Sequence, residues 1–279
     1  MSHIENTLGG LRARGEKALI TFLTAGDPDL ETSERLIHTL VESGADLIEL
    51  GMPFSDPMAD GPTIQASSER ALAAGTTLHD ILEMVRRVRE HTNTPILLMG
   101  YYNPVYCYGT ERFARDAADV GIDGLLLVDL PPEEAGELQP ALRAAGIDLI
   151  TLLAPTTEGL RMTRLAEAAE GFLYFVSMTG VTGSQQVDAA SIQNVVAGLQ
   201  ANSRVPVAVG FGVTTPGEAR EIAGFADAVV VGSALVKIIA EHGRSETLLK
   251  EVGLFVRALK EGVRSAARFG TGRSGRRNV

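Results

Sequence analysis

Leu47-Ile48-Glu49-Leu50-Gly51-Met52-Pro53-Phe54-Ser55-Asp56-Pro57-Met58-Ala59-Asp60-Gly61-Pro62-Thr63-Ile64-Gln65 opens as a short apolar run and ends in an acidic, turn-rich loop. The apolar run has the pattern of a buried strand. Glu49 stands inside it, and Asp60 closes the loop of Gly, Pro, Ser and Asp that follows. A carboxylate in an apolar strand is costly unless something pairs with it. A snorkelling or Arg-paired glutamate is the plain alternative. The place of Glu49 at the C-terminal end of the run, beside a long loop, favours a function.

Working outward, the chain repeats one coarse unit: amphipathic helix, Gly stop, acidic turn, apolar strand. Gly44-Ala45-Asp46 precedes Leu47, Gly121-Ile122-Asp123 precedes Gly124-Leu125-Leu126-Leu127, Gly146-Ile147-Asp148 precedes Leu149, and Gly224-Phe225-Ala226-Asp227 precedes Ala228-Val229-Val230-Val231. Each Gly suits a left-handed helix stop. The strands are near-continuous apolar runs, as in a parallel sheet covered on both faces. Eight such runs start near Ala18, Leu47, Pro95, Gly124, Leu149, Phe172, Val205 and Ala228. Helical patterns lie between them. One spans Leu30 to Ser43, another Glu133 to Ala145, and Thr156-Thr157-Glu158 opens a third.

Eight alternating units in about 250 residues is the size of a (β/α)8 barrel, the TIM barrel. An open doubly wound sheet is the runner-up. After the first strand the chain reads Thr24-Ala25-Gly26-Asp27-Pro28, without the dinucleotide glycine fingerprint. Residues 1–267 are expected to form one barrel domain. Residues 268–279, rich in Gly and Arg, are expected to be a frayed basic tail.

Composition narrows the class. The 279 residues are 45% hydrophobic and 22% charged, with a net charge of −10. That balance allows a sizeable core and disfavours nucleic acid or an anionic membrane as partner. Cys107 is the single cysteine, so no intrachain disulfide forms, and it is expected to be a buried apolar thiol. No signal peptide is read at Met1-Ser2-His3-Ile4-Glu5-Asn6, and no apolar run reaches membrane-spanning length. A cytoplasmic protein is expected.

Two connections exceed a plain strand-to-helix loop: Gly51 to Gly61 and Ser177 to Val187. In a barrel all strands end at one mouth, where chemistry and lids sit. Val209-Gly210-Phe211-Gly212 and Val231-Gly232-Ser233 end the last two strands there. Glycine lets backbone N–H groups approach phosphate oxygens, and a helix N-terminus points donors at them. Together the two glycine turns indicate a phosphate ester; two ordinary turns are the alternative. Gly183 is placed to close a third side. Glu49 and Asp60 suit acid–base work on an organic skeleton. Tyr174 shares strand parity with Phe172 and Val176, so its hydroxyl enters the same cavity if that face points inward. A core tyrosine bonded to a carbonyl fits equally well. None of Lys17, Lys237, Lys250 and Lys260 ends a strand, which disfavours a Schiff base. His3, His38, His79, His91 and His242 form no ligand-spaced cluster, which disfavours a His-based catalytic metal; Asp56 and Asp60 could hold a Mg2+, though nothing compels it.

Pro53 to Gln65 resembles the signature of the tryptophan synthase α subunit family. The likeness runs through Thr21-Phe22-Leu23-Thr24-Ala25-Gly26-Asp27-Pro28, Val128-Asp129-Leu130-Pro131, Gly180-Val181-Thr182-Gly183, Gly210-Phe211-Gly212 and Gly232-Ser233-Ala234. The resemblance implies a (β/α)8 barrel that cleaves indole-3-glycerol phosphate to indole and glyceraldehyde 3-phosphate. It implies no cofactor in this chain, and a β subunit partner in an α2β2 complex that uses pyridoxal phosphate. It places the catalytic groups on Glu49, Asp60 and Tyr174, the phosphate contacts on Gly183, Gly212, Gly232 and Ser233, and the indole contact on Phe22. It puts loop and partner contacts at Asp56, Pro57 and Thr182. Ser177-Met178 departs from members that carry an Arg after the Ser. Two rivals stand beside this reading: a barrel isomerase of another phosphorylated substrate, and a phosphate sensor that only regulates a partner.

Overall fold

The structure, a computed structural model, describes residues 1–157, 159–176, 189–210 and 212–270, with 189–191 and 267–270 as backbone only. Its strands are β1 (Ala18–Thr24), β2 (Leu47–Gly51), β3 (Ile96–Gly100), β4 (Gly124–Leu127), β5 (Asp148–Leu149), β6 (Thr151–Leu153), β7 (Leu173–Val176), β8 (Val207–Gly210) and β9 (Ala228–Val231). Its helices are α1 (His3–Ala13), α2 (Leu30–Glu42), α3 (Pro62–Ala73), α4 (Leu78–Arg89), α5 (Tyr102–Tyr108), α6 (Thr110–Asp119), α7 (Gln139–Ala145), α8 (Gly159–Ala168), α9 (Ala189–Asn202), α10 (Pro216–Ala223), α11 (Ser233–His242) and α12 (Leu248–Gly270).

The strands form one parallel sheet in the order β5-β4-β3-β2-β1-β9-β8-β7-β6. β5 pairs with β4 and β6 pairs with β7, while Ile150 between them still bonds the Leu125 carbonyl at 2.8 Å. β5 and β6 are therefore two halves of one stave, and the sheet is the expected eight-staved barrel with its seam at Ile150. Alternation along each strand divides the core in two. Leu19, Leu23, Ile48 and Leu50 face the helices. Ile20, Leu47, Leu97, Leu126, Phe172 and Tyr174 face the bore.

The sequence reading did not foresee α1. Ser2 caps it in a capping box with Glu5, and Ile4, Leu8 and Leu11, one apolar stripe, join the bore-facing cluster. A side chain at Gly124 would come within 2.8 Å of Ile4, so α1 sits directly against the start of β4. It plugs the N-terminal end of the bore.

The repeated Gly-x-Asp turns have a structural role. Asp46, Asp123 and Asp227 accept the backbone N–H groups of Leu19, Ile96 and Val207 at 2.7, 2.8 and 3.0 Å. Each ties the entry of its own strand to the neighbouring one. Each also has a cation: Lys260, Arg89 and Lys17 respectively. Asp148, at the seam, instead accepts the Ser2 hydroxyl and has no cationic partner among the described residues. Burial and the nearby Glu5, Glu170 and Asp123 push its carboxyl up to about 6.

Three expectations need correction. Gly44, Gly121 and Gly146 have positive φ, but Gly224 is right-handed with φ −64°; there a Cβ would lie 3.0 Å from the Glu221 carbonyl, so close approach explains the glycine. The helix expected over Glu133 to Ala145 is split into a 3-10 turn over Pro132–Glu137 and then α7, because Pro140 lacks the N–H that a continuous helix needs. Cys107 is exposed, not buried. It lies two residues beyond buried Val105 on α5, roughly 200° round the helix and on its outer side.

Candidate active site

The cavity at the C-terminal end of the barrel has a volume of about 150 Å³. Glu49, Asp60 and Tyr174 line it together with Phe22, Gly212, Gly232 and Ser233. The structure thus brings together every expected catalytic and substrate residue except Gly183, which lies outside the described residues, as do Thr182, Met178 and Phe211. Asp56 and Pro57 stand on the loop above. Ile64, Met99, Val176 and Val230 complete an apolar lining.

Strand parity explains the convergence. Glu49 shares the bore-facing side of β2 with Leu47, and its register partners are Phe22 on β1 and Leu97 on β3. Glu49 is 1% exposed, and neither carboxyl oxygen has a regular hydrogen-bond partner. Burial pushes its carboxyl up to about 8, opposed by the nearby Tyr174 hydroxyl. An acid held neutral in a cavity is a poised proton donor. Tyr174 is itself raised well above the usual tyrosine range, by burial and by Glu49. The bare-glycine walls make room for these groups: a Cβ at Gly51 would lie 2.6 Å from the Phe22 ring, and one at Gly210 would lie 3.0 Å from the Tyr174 hydroxyl.

Asp60 comes from the loop between β2 and α3. Tyr101, one residue past β3, reaches across to it. The Tyr101 hydroxyl accepts the Ala59 N–H at 2.9 Å and donates to Asp60 Oδ2 at 3.2 Å. Burial raises the Asp60 carboxyl, and the Tyr101 hydrogen bond opposes that rise. The same burial and the Asp60 charge push the Tyr101 phenol up to about 12. Tyr101 was missed in the sequence. The available signal was a polar aromatic directly after an apolar strand, but Tyr101-Tyr102 offers two candidates, and only the fold shows which turns inward. The Phe54 ring packs on Tyr101 at 5.0 Å. From the other side, Gln65 Nε2 donates to the carbonyls of Asp60 and Pro57 at 2.9 and 3.4 Å.

The loop is set by α3, and α3 is tied to β1. Arg70 makes a two-pronged ion pair with buried Asp27, both contacts at 2.7 Å. Thr24 and Ser67 share a hydroxyl hydrogen bond at 2.6 Å. Opposite Asp60, Gly212 has φ +60°, a conformation glycine adopts without strain. Gly232 is the N-cap of α11, and no side chain caps that helix. Its first N–H groups therefore face the cavity mouth with the positive end of the helix dipole, the usual seat of a phosphate.

Comparisons with known proteins give the family and agree with the fold. The family model described as Tryptophan synthase alpha chain matches residues 8–264. The chain is similar to the tryptophan synthase alpha chain of Citrifermentans bemidjiense, with 56% identity over 96% of this chain and 100% of that one. It is similar to that of Geobacter sulfurreducens, with 56% identity over 94% of this chain and 99% of the relative. Among solved structures, tryptophan synthase subunit alpha from Legionella pneumophila superposes with a TM-score of 0.88 at 40% identity, over 95% and 99% of the two chains. A tryptophan synthase structure from M. tuberculosis, in an aminoacrylate-bound form, gives 0.85 at 36% identity, over 95% and 100%. Alpha chains of this kind need no cofactor of their own, pyridoxal phosphate belonging to the β subunit. With the family model matched over residues 8–264 and relatives at more than half identity over nearly the whole length, the chain belongs to the tryptophan synthase alpha chain family, the lyase subunit that cleaves indole-3-glycerol phosphate.

Proposed function

We propose that Glu49 and Asp60 carry out the retro-aldol cleavage in the apolar cavity, with the substrate's own indole ring as electron sink. The observation that carries this reading is the environment of Glu49, which is enclosed, has no charged partner, lies beside the Tyr174 hydroxyl and is raised to about 8. Its neutral carboxyl gives a proton to indole C3, and the ring nitrogen becomes electron-poor. The ionised Asp60, steadied by Tyr101, stabilises that cation at the ring N–H. The Glu49 carboxylate then takes the proton of the side-chain hydroxyl. The bond from C3 to the side chain breaks, its electron pair returns to the ring, and an aldehyde forms. Glu49 ends as it began, so the proton balance closes. Tyr174 stands beside Glu49 and orients it. Phe22, with Met99 and Ile64, holds the indole; Gly212, Gly232 and Ser233, with Gly183, hold the phosphate.

We place the loop residues Asp56, Pro57 and Thr182 in contact with a β subunit, in an α2β2 assembly that takes up the indole. Asp56 and Met58 are exposed above the mouth, Met58 to 87%, which supports a docking role. We read residues 1–267 as the catalytic unit, 268–279 as a tail, and the protein as cytoplasmic. No described helix is long and apolar enough to cross a membrane. The test is direct. Purified chain is incubated with indole-3-glycerol phosphate, and indole and glyceraldehyde 3-phosphate are expected in equal amounts. Absence of indole at high enzyme concentration, in the presence of β subunit, overturns the reading.

A further inference from the structure

We infer that Gln65 is a positioning residue for Asp60: its side-chain amide clamps the turn Pro57–Asp60 so that the carboxylate stays in the cavity. This rests on the role proposed above for Asp60. Among the described residues, hydrogen bonds tie the turn to the rest of the molecule on two sides. On one side Tyr101 holds the Ala59 N–H and the Asp60 carboxylate. On the other, Gln65 Nε2 holds the Asp60 carbonyl at 2.9 Å and reaches the Pro57 carbonyl at 3.4 Å. The Pro57 carbonyl also accepts the Asp60 N–H at 3.0 Å, so Gln65 bridges the two ends of a single turn.

The clamp has a fixed base. Gln65 lies in the first turn of α3, where its own N–H bonds the Gly61 carbonyl at 3.0 Å. α3 is bound to the end of β1 through Ser67 and to Asp27 in the loop after β1 through Arg70. The chain thus runs from the barrel wall through a rigid helix and one amide to the catalytic turn. Without Gln65, Tyr101 would be the remaining side-chain hydrogen-bond tie among the described residues, and the turn would hinge at Gly61. Asp60 Oδ2 would then share its place between the cavity and the outside, and a displacement of about 1 Å costs on the order of 100-fold in rate.

The test removes the donor and keeps the shape. Gln65→Met is expected to lower kcat for indole release about 10-fold or more, with KM changed less than about 2-fold and the melting temperature close to wild type. In the Asp60→Asn background the same change is expected to cost nothing further, because the group it positions is already neutral. Amide hydrogen exchange at Ala59 and Asp60, read without substrate, is expected to quicken in Gln65→Met. If the Gln65→Met loss persists undiminished in the Asp60→Asn background, or if exchange at the turn is unchanged, the clamp is wrong. A wild type that releases no indole would overturn the proposed chemistry instead, while the exchange measurement still decides the clamp.

Discussion

At the scale of single residues, the protonation of Glu49 sets the pH behaviour. Its carboxyl lies at about 8 in the folded protein against 4.5 ordinarily, so the acid form needed for the first step is present at neutral pH and is lost as pH rises through about 8. The expected profile of kcat/KM is flat through neutrality and falls above about 8, since that ratio reports the free enzyme. A profile still flat at pH 9.5 would count against Glu49 as the donor. Glu49→Gln and Asp60→Asn are each expected to lower turnover by more than about 100-fold while substrate binding changes far less. Steady-state indole release with binding measured separately checks both. Glu49 was legible in the sequence because a carboxylate in an apolar strand contradicts its surroundings. Tyr101 was not, because the adjacent Tyr102 carries the same signal; its role depends on Asp60, 41 residues earlier, folding back onto it.

At the scale of elements, α11 meets the cavity with an uncapped N-terminus. Gly232→Asp puts a carboxylate at that end, where it opposes an anion, while the added Cβ meets the Phe22 Cβ at 3.4 Å, about van der Waals contact. The expected result is weaker binding of glyceraldehyde 3-phosphate with binding of free indole nearly unchanged, as titrations of each ligand would show. Equal weakening of both would move the phosphate elsewhere. The sequence showed this element through paired glycine turns, since backbone approach requires them. It showed the Gly-x-Asp turns as punctuation only. That Asp46, Asp123 and Asp227 tie neighbouring strands together needs the register, which sequence spacing does not supply. The split at Pro140 was readable from proline chemistry but was masked by the apolar spacing of Leu138 and Leu142.

At the scale of the whole molecule, the seam is electrostatically unlike the rest of the barrel floor. Asp148 has a folded value of about 6 against 3.8 ordinarily. The folded state therefore binds that proton more tightly, and the stability it contributes is full below about 4 and lost as pH rises through about 6. Asp148→Asn is expected to melt higher than wild type at pH 7 to 8, with the difference shrinking toward pH 4. A pH series of melting curves checks this; a difference independent of pH would place the cause elsewhere. The barrel itself was legible because eight apolar runs alternate with helices, whereas α1 was not, because its stripe of Ile4, Leu8 and Leu11 is too sparse to separate from a surface helix. At the other end, the β subunit is expected to speed indole release by ordering the loop that carries Asp60. Turnover with and without it, with complex formation verified, measures this, and an unchanged rate would reject ordering by the partner.

The plug made by α1 has a consequence for traffic. With Ile4, Leu8 and Leu11 filling the floor, the bore is a blind well rather than a tube. Among the described residues this leaves one open end for substrate and both products, the mouth near the loop of Asp56, Pro57 and Met58. On the placement proposed above, with glyceraldehyde 3-phosphate nearest α11 and indole deeper beside Phe22, whatever sits on that rim governs departure as well as entry. A partner seated over that mouth, as proposed above, is expected to receive the apolar product instead of letting it escape to water.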